Sequence, residues 1–237
     1  MGLWSDQHAA TIDLENFRGH NQYLEQLDDY PYEAMYEWAT ARGTLPLNHV
    51  EDGSFGCKTR VVDGVMVSRD LLDSVAELSF LAEVYTGQPD RVLDIGAGYG
   101  RFAHRLLETS EHSHIDCTDS ILVSLRACER YRQHCRGRWG IVYEPAGLGR
   151  GYDLAVNIHS WSECTLDEVA WWLDKLVELE VPRIFIVPHH PDLATWSPNG
   201  VLGPSYRPAI ETRGYKLAHE WMGPPCSQKA YQLWERT

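Results

Sequence analysis

Residues 92–102 read VLDIGAGYGRF: an apolar run around Asp94, then glycines at 96, 98 and 100, then a helix-like segment. A strand that turns into a helix through so many glycines is built to bring its backbone close to something. Glycine has no Cβ to hold a ligand off, and the first turn of the helix presents unpaired N–H groups. The spacing excludes two common loops. A dinucleotide fingerprint needs G-x-G-x-x-G, whereas this chain has G-A-G-Y-G, and no Gly-Lys-Ser/Thr follows to make a phosphate loop.

The surroundings fix the fold class. Leu71, Val75, Leu78, Ala82 and Tyr85 recur at spacings of 4, 3, 4 and 3, which predicts an amphipathic helix from the Ser68 cap to a stop at Gly87 and Pro89. From residue 90 strands and helices alternate. RVLDIG, SHIDCTD, a short segment near Ile141–Tyr143, YDLAVNIHS and VPRIFIVP read as strands. Residues 99–109, ILVSLRACERYRQ and TLDEVAWWLDKLVEL read as helices, the last opening with Thr165 and Glu168 at capping-box spacing. YKLAHEW and AYQLWER add two terminal strands. The expectation is an α/β, Rossmann-like fold: a mostly parallel seven-stranded sheet with helices on both faces. Ahead of it, residues 1–45 suggest short helices around Leu14–Leu27 and Tyr32–Arg42, and 46–66 read as loop, with glycines at 53, 56 and 64. The chain divides into an N-terminal helical extension, 1–66, expected to act as a lid and substrate cap, and a main domain, 67–237.

In such a sheet a ligand lies beyond the carboxyl ends of the strands, where the strand order reverses. Asp119 ends the second strand, nineteen residues past Gly100. A carboxylate there can accept both hydroxyls of a ribose. Asp116 competes for that role but sits mid-strand. Glycine loop and acid together point to a nucleoside cofactor with no pyrophosphate.

VLDIGAGYGRF followed by CTDS resembles the signature of class I S-adenosylmethionine-dependent methyltransferases, over roughly residues 68–237. The resemblance implies that Gly96, Ala97, Gly98 and Gly100 line the methionine and ribose of S-adenosylmethionine. It implies that Asp94 orders the loop, and that Asp119, with Ser120 beside it, holds the ribose. It also implies an antiparallel terminal hairpin and an acceptor site after the fourth and fifth strands, at NIHSWSE (157–163) and PHHPD (188–192). DLAVNIHSWSECTLDEV and VSRDLLDSVAELSFL resemble the sugar O-methyltransferase group, whose setting would be a mannoside or related glycoside in an actinobacterial pathway. Methyl transfer to a hydroxyl benefits from a general base, and His159 is the first candidate. Glu163 would orient it or bind a sugar hydroxyl, and His189 and His190 are the rivals. If the reaction uses a divalent metal such as Mg²⁺, Glu163, His190 and Asp192 are the ligands in place, although the histidines suit a transition metal better. His49, Lys58 and Arg60 could meet the cofactor carboxylate or the acceptor from the loop before the lead-in helix.

Charge narrows the partners. With 34 acidic against 21 basic residues the net charge is −13, the wrong sign for a general phosphate-backbone binder. Asn157-Ile-His-Ser stands where base-gripping enzymes carry N/D-P-P-aromatic, and the sole Pro-Cys, Pro225-Cys226, is far downstream. A small-molecule or oligosaccharide acceptor is therefore expected, and no nucleic acid. Nine tryptophans are compatible with sugar stacking, and four Met and five Phe make a modest apolar wall for a phenol. A phenol or amine acceptor and a catalytically silent cofactor binder remain as alternatives. The six cysteines form no C-x-x-C pair, and Cys128, His134 and Cys135 lack a fourth zinc ligand. No apolar leader and no run long enough to span a bilayer is visible, so no membrane partner and a cytoplasmic location are expected. A homodimer is compatible with the sequence.

Overall fold

The structure, a computed structural model, describes residues 13–19, 30–42, 53–110, 113–135, 138–196, 201–227 and 229–236. Helix α1 (Tyr32–Arg42) leads to a hairpin of β1 (Thr59–Val62) and β2 (Val65–Ser68), then to α2 (Arg69–Val84). Next come β3 (Arg91–Ile95), α3 (Arg101–Thr109), β4 (His114–Thr118), α4 (Leu122–His134) and β5 (Arg138–Ile141). The second half runs β6 (Leu154–Ile158), α5 (Leu166–Glu178), β7 (Arg183–Val187), a small pair β8 (Ala194–Trp196) and β9 (Leu202–Ser205), α6 (Arg207–Glu211), β10 (Tyr215–Met222) and β11 (Ala230–Arg236).

The central sheet has seven strands in the order β10-β11-β7-β6-β3-β4-β5. Strands β3 to β7 within it are parallel, and β11 runs antiparallel to both β7 and β10. The order reverses between β3 and β6, so their carboxyl ends open the crevice. The parallel strands are apolar and almost wholly buried, as covering helices on both faces require. One core lies between the sheet and α2, α3 and α4, the other between the sheet and α5 and α6.

Local chemistry explains the ends of the elements. The Ser68 hydroxyl accepts from the Leu71 N–H, and Thr165 with Glu168 forms the expected capping box on α5. The strand expected near 141–143 lies earlier, at 138–141. Residues 59–66, expected as loop, belong instead to a hairpin that runs on to Ser68. Its two-residue turn is Asp63-Gly64, with φ of 51° and 80°, the geometry that an Asp-Gly pair favours. Residues 14–19 are turns, while 20–27 of the expected first helix, and His49, lie outside the described residues.

Helix α2 is not simply amphipathic. Leu71, Val75 and Leu78 are buried as expected, but Ala82 is exposed, and Asp70, Asp73, Ser74 and Glu77 are buried too. The polar row is matched group by group. The Arg101 guanidinium donates to both Glu77 oxygens at 2.8 and 2.9 Å and to Ser74 Oγ at 2.7 Å. Asp73 takes Lys229 at 2.7 Å, Arg69 at 3.3 Å and the Tyr30 hydroxyl at 3.0 Å. The Tyr99 hydroxyl donates to Asp70. Helix α2 is thus fastened to the glycine loop, to α3 and to the segment before β11. Removing one member of such a pair strands a buried charge, so Glu77→Ala should cost about 3–5 kcal/mol. A lower urea midpoint at unchanged m-value would confirm it, and an unchanged midpoint would mean Arg101 finds water.

Candidate active site

The turn after β3 lies across the end of β4: the N–H groups of Gly96 and Ala97 donate to the Thr118 carbonyl at 2.9 and 3.1 Å. Gly96, Gly98 and Gly100 have φ of 73°, 58° and 85°. Two of them are also needed for space. A Cβ on Gly96 would come within 2.1 Å of Ser160 Oγ, and one on Gly100 within 2.1 Å of the Trp139 ring. Gly98 is different, with nothing within 4 Å of where its Cβ would be. Here the backbone faces open space, a cavity of about 310 Å³.

Asp94, Ile95, Gly96, Ala97, Gly98, Asp119 and Ser120 line one end of this cavity. Asp119 accepts from the Gly98 N–H at 3.0 Å and from the Ile121 N–H at 2.8 Å, which ties the acid to the glycine loop. Burial pushes its carboxyl up to about 6. Asp94 is 3% exposed, its Oδ2 has no partner, and burial raises its carboxyl to about 7. An orphaned acid oxygen calls for a donor or cation, and Asp119 keeps lone pairs for hydroxyl donors. A ligand carrying a diol and an ammonium fits this end. Asp116 lies elsewhere, held by Arg91 at 3.0 Å, by the Tyr152 hydroxyl at 2.7 Å and by His114 at 2.9 Å.

His159, Ser160, Trp161 and Glu163 line the other wall, where β6 ends. His159 has φ 69° and ψ −35°, a conformation an L residue seldom adopts. Its N–H donates to the Val187 carbonyl at 2.7 Å, and its Nδ1 is buried without a partner. Burial, reinforced by Lys229, His189, Arg101 and Arg69, lowers its imidazole well below the usual histidine range, so it is neutral near pH 7. The His189 ring stacks on it, centroids 4.5 Å apart and planes at 5°. Glu163 does not orient His159, as expected from the sequence, but meets His189 Nε2 at 3.0 Å.

The metal expectation fails on geometry. Glu163 is engaged with His189, while His190 Nδ1 and Asp192 Oδ2 make a separate contact at 3.6 Å. Among the described residues no three His, Cys, Asp or Glu side chains are placed to share an ion, which also covers Cys128, His134 and Cys135. Lys58 and Arg60 do not line the cavity, and Arg60 pairs with Glu33 at 3.0 Å.

Several site residues escaped the sequence reading. Phe17, from the N-terminal extension, lines the cavity. Lys229 precedes β11, which runs antiparallel to β7, so its backbone starts beside the end of β7 and its charge acts on His159. Asn157 lies 1% exposed beneath the glycine loop. Only the pairing of β11 on β7 could have signalled Lys229.

No family model matches the chain, and no curated protein matches it. Solved structures do. A magnesium protoporphyrin IX methyltransferase from Synechocystis PCC 6803, with S-adenosylmethionine bound, is 16% identical over 70% of this chain and 77% of its own, with a TM-score of 0.51. A S-adenosylmethionine-dependent methyltransferase from Leishmania major is 19% identical over 68% and 71%, with a TM-score of 0.55. A riboflavin-analogue dimethyltransferase from Streptomyces davawensis is 17% identical over 71% of this chain and 58% of its own, at 0.50. The chain has the class I methyltransferase fold. No helix among the described residues is long and apolar enough to cross a membrane.

The buried Asp94 carboxylate, its Oδ2 without a partner, makes a checkable demand on the free protein. Its folded pKa lies above the unfolded value, so ionising it costs stability as pH rises from about 4 to about 7. Asp94→Asn, always neutral, should melt higher than the parent at pH 8 and alike at pH 4. The gain should be at least about 2–4 °C, the change expected per kcal/mol in a domain of this size. Equal melting at both pH values would mean the carboxylate is already satisfied.

Proposed function

We propose that this protein transfers a methyl group from S-adenosylmethionine to a hydroxyl of a small polar acceptor, a sugar or glycoside. One observation carries the reading. A single cavity at the switch point joins a carboxylate pair suited to the cofactor, Asp94 and Asp119, to an uncharged histidine, His159. Bound there, the cofactor would supply an electrophilic methyl group on sulfonium.

The protein's share is positioning and proton removal. Gly98 and its open face admit the cofactor, Asp119 accepts the ribose hydroxyls, and Asp94 answers the ammonium. The bound cofactor would offer that methyl group to an acceptor hydroxyl on the other wall, with the carbon–sulfur electron pair left on sulfur, and His159 would take the hydroxyl proton. Holding the two reactants in line can supply about 7–11 kcal/mol, and a placed base about 10²–10⁴-fold. The stacked His189, fixed by Glu163, supports the His159 ring. No metal enters this scheme. Phe17 gives the extension, residues 1–66, a part in covering the site. Polar groups at the acceptor wall favour a hydroxyl over a bare hydrocarbon surface. Phe17 and Trp172, also in the lining, favour an aromatic acceptor as the second reading.

Transfer of labelled methyl to mono- and oligosaccharides, phenols, amines and bulk tRNA, with and without EDTA, tests this directly. Label on a sugar, indifferent to EDTA, is expected. Label confined to a phenol or an RNA would refute the sugar acceptor.

His159→Ala should lower kcat about 10²-fold or more with little change in cofactor affinity. Because its imidazole is held below the ordinary 6.5, the base form persists across neutrality. With S-adenosylmethionine saturating, so that its ammonium keeps Asp94 ionised, the rate should therefore be flat from pH 8 down through 6.5 and fall only in more acid solution. An acid limb centred at 6.5 or above would exclude His159 as the base.

A further inference from the structure

Asn157 is the last residue but one of β6, and its side chain does not line the cavity. An asparagine amide offers two N–H donors and one carbonyl. All of it is engaged within the fold. Nδ2 donates to the Ile95 carbonyl at 2.9 Å and to Ser160 Oγ at 2.5 Å, and Oδ1 accepts the Trp161 N–H at 3.0 Å. Ile95 is the residue before Gly96, so these bonds tie the exit of β6 to the exit of β3. Ser160 completes the tie. Its hydroxyl reaches the Ile95 carbonyl at 3.3 Å, and its Cβ stands 2.4 Å from where a Cβ on Gly96 would lie.

His159 sits between the two fastened residues. Its backbone conformation costs about 1–3 kcal/mol and persists only where the surroundings over-determine it. They do so here: the His159 N–H is held by Val187, its carbonyl takes the Ser162 N–H at 3.0 Å, and Asn157 grips the turn on both sides.

We propose that Asn157 is a positioning residue that locks the turn bearing His159 against the glycine loop, so that base and cofactor keep one relative geometry. The proposal rests on the transferase reading above and adds to it a side chain that touches neither reactant. The residue type is specific. Aspartate would lose both donors and set a carboxylate against the Ile95 carbonyl. Glutamine would be one methylene too long. Alanine would leave that carbonyl and the Trp161 N–H short of partners in a buried place.

The test is a double-mutant cycle. Asn157→Ala should lower kcat about 10²-fold, the scale of an ångström-sized misplacement, while acceptor KM changes less than about threefold. In a His159→Ala background the same substitution should cost less than about twofold, because the group it positions is gone. Losses that multiply instead, or a wild-type kcat in Asn157→Ala, would overturn the proposal. Should Asn157→Ala fail to fold, Ser160→Ala serves. It keeps the methyl-sized contact with Gly96 and removes the hydroxyl, and its smaller loss should show the same non-additivity with His159→Ala.

A second readout needs no turnover. His159 is faced by Arg69 from α2, Arg101 from α3, His189 from the end of β7 with Glu163 from the turn after β6 bound to it, and Lys229 from before β11. With the turn locked, its imidazole resonances should not titrate near pH 6.5. Release in Asn157→Ala or Ser160→Ala should bring the titration up toward 6.5, and an unchanged titration would overturn the lock. A wild-type chain that binds no S-adenosylmethionine would sink the transferase reading, while the titration would still decide on Asn157.

Discussion

The missing side chain of Gly96 sets how closely two strands of the crevice can meet. Ser160, from the turn after β6, stands in the space a Cβ on Gly96 would fill. That approach lets Asn157 reach the Ile95 carbonyl and brings the turn bearing His159 to the loop. A larger residue at 96 would push the walls apart, and every distance across the cavity would change with them. The same logic holds at Gly100, where the Trp139 ring from β5 fills the vacant space.

Buried acids and nearby cations both act on the crevice. Asp94 and Asp119 occupy the end at β3 and β4, and burial raises both carboxyls. Lys229, Arg101 and Arg69 bear on His159 at the end at β6 and β7, and Arg101 bears on Asp94 as well. Those cations are carried by the acids of α2, so a helix outside the alternating pattern sets the electrostatics of the site. A cationic cofactor suits the first end. The second keeps an imidazole uncharged.

The histidines divide their work in a way that spacing did not reveal. Glu163 and His189 form one pair, and His159 receives the ring of His189 on its face rather than the carboxylate on its edge. The stacked ring fixes the orientation of the His159 imidazole. The same arrangement removes Glu163 from any shared metal with His190 and Asp192.

Much of this was legible in the sequence, because periodicity and turn chemistry are local. The alternation of strands and helices, the caps at Ser68 and Thr165, the glycine loop and the place of Asp119 at the end of β4 all follow from residues near one another in the chain. The Asp63-Gly64 hairpin was local too, and its turn signal stood in plain view. What the tertiary structure decided is which distant groups meet. Strand order puts Lys229 beside the end of β7, burial turns five polar residues of α2 inward, and Asn157 is aimed at a carbonyl 62 positions earlier rather than into the cavity. Composition and spacing carry no record of such encounters, since hydrogen bonds and ion pairs depend on where side chains converge once the sheet has formed.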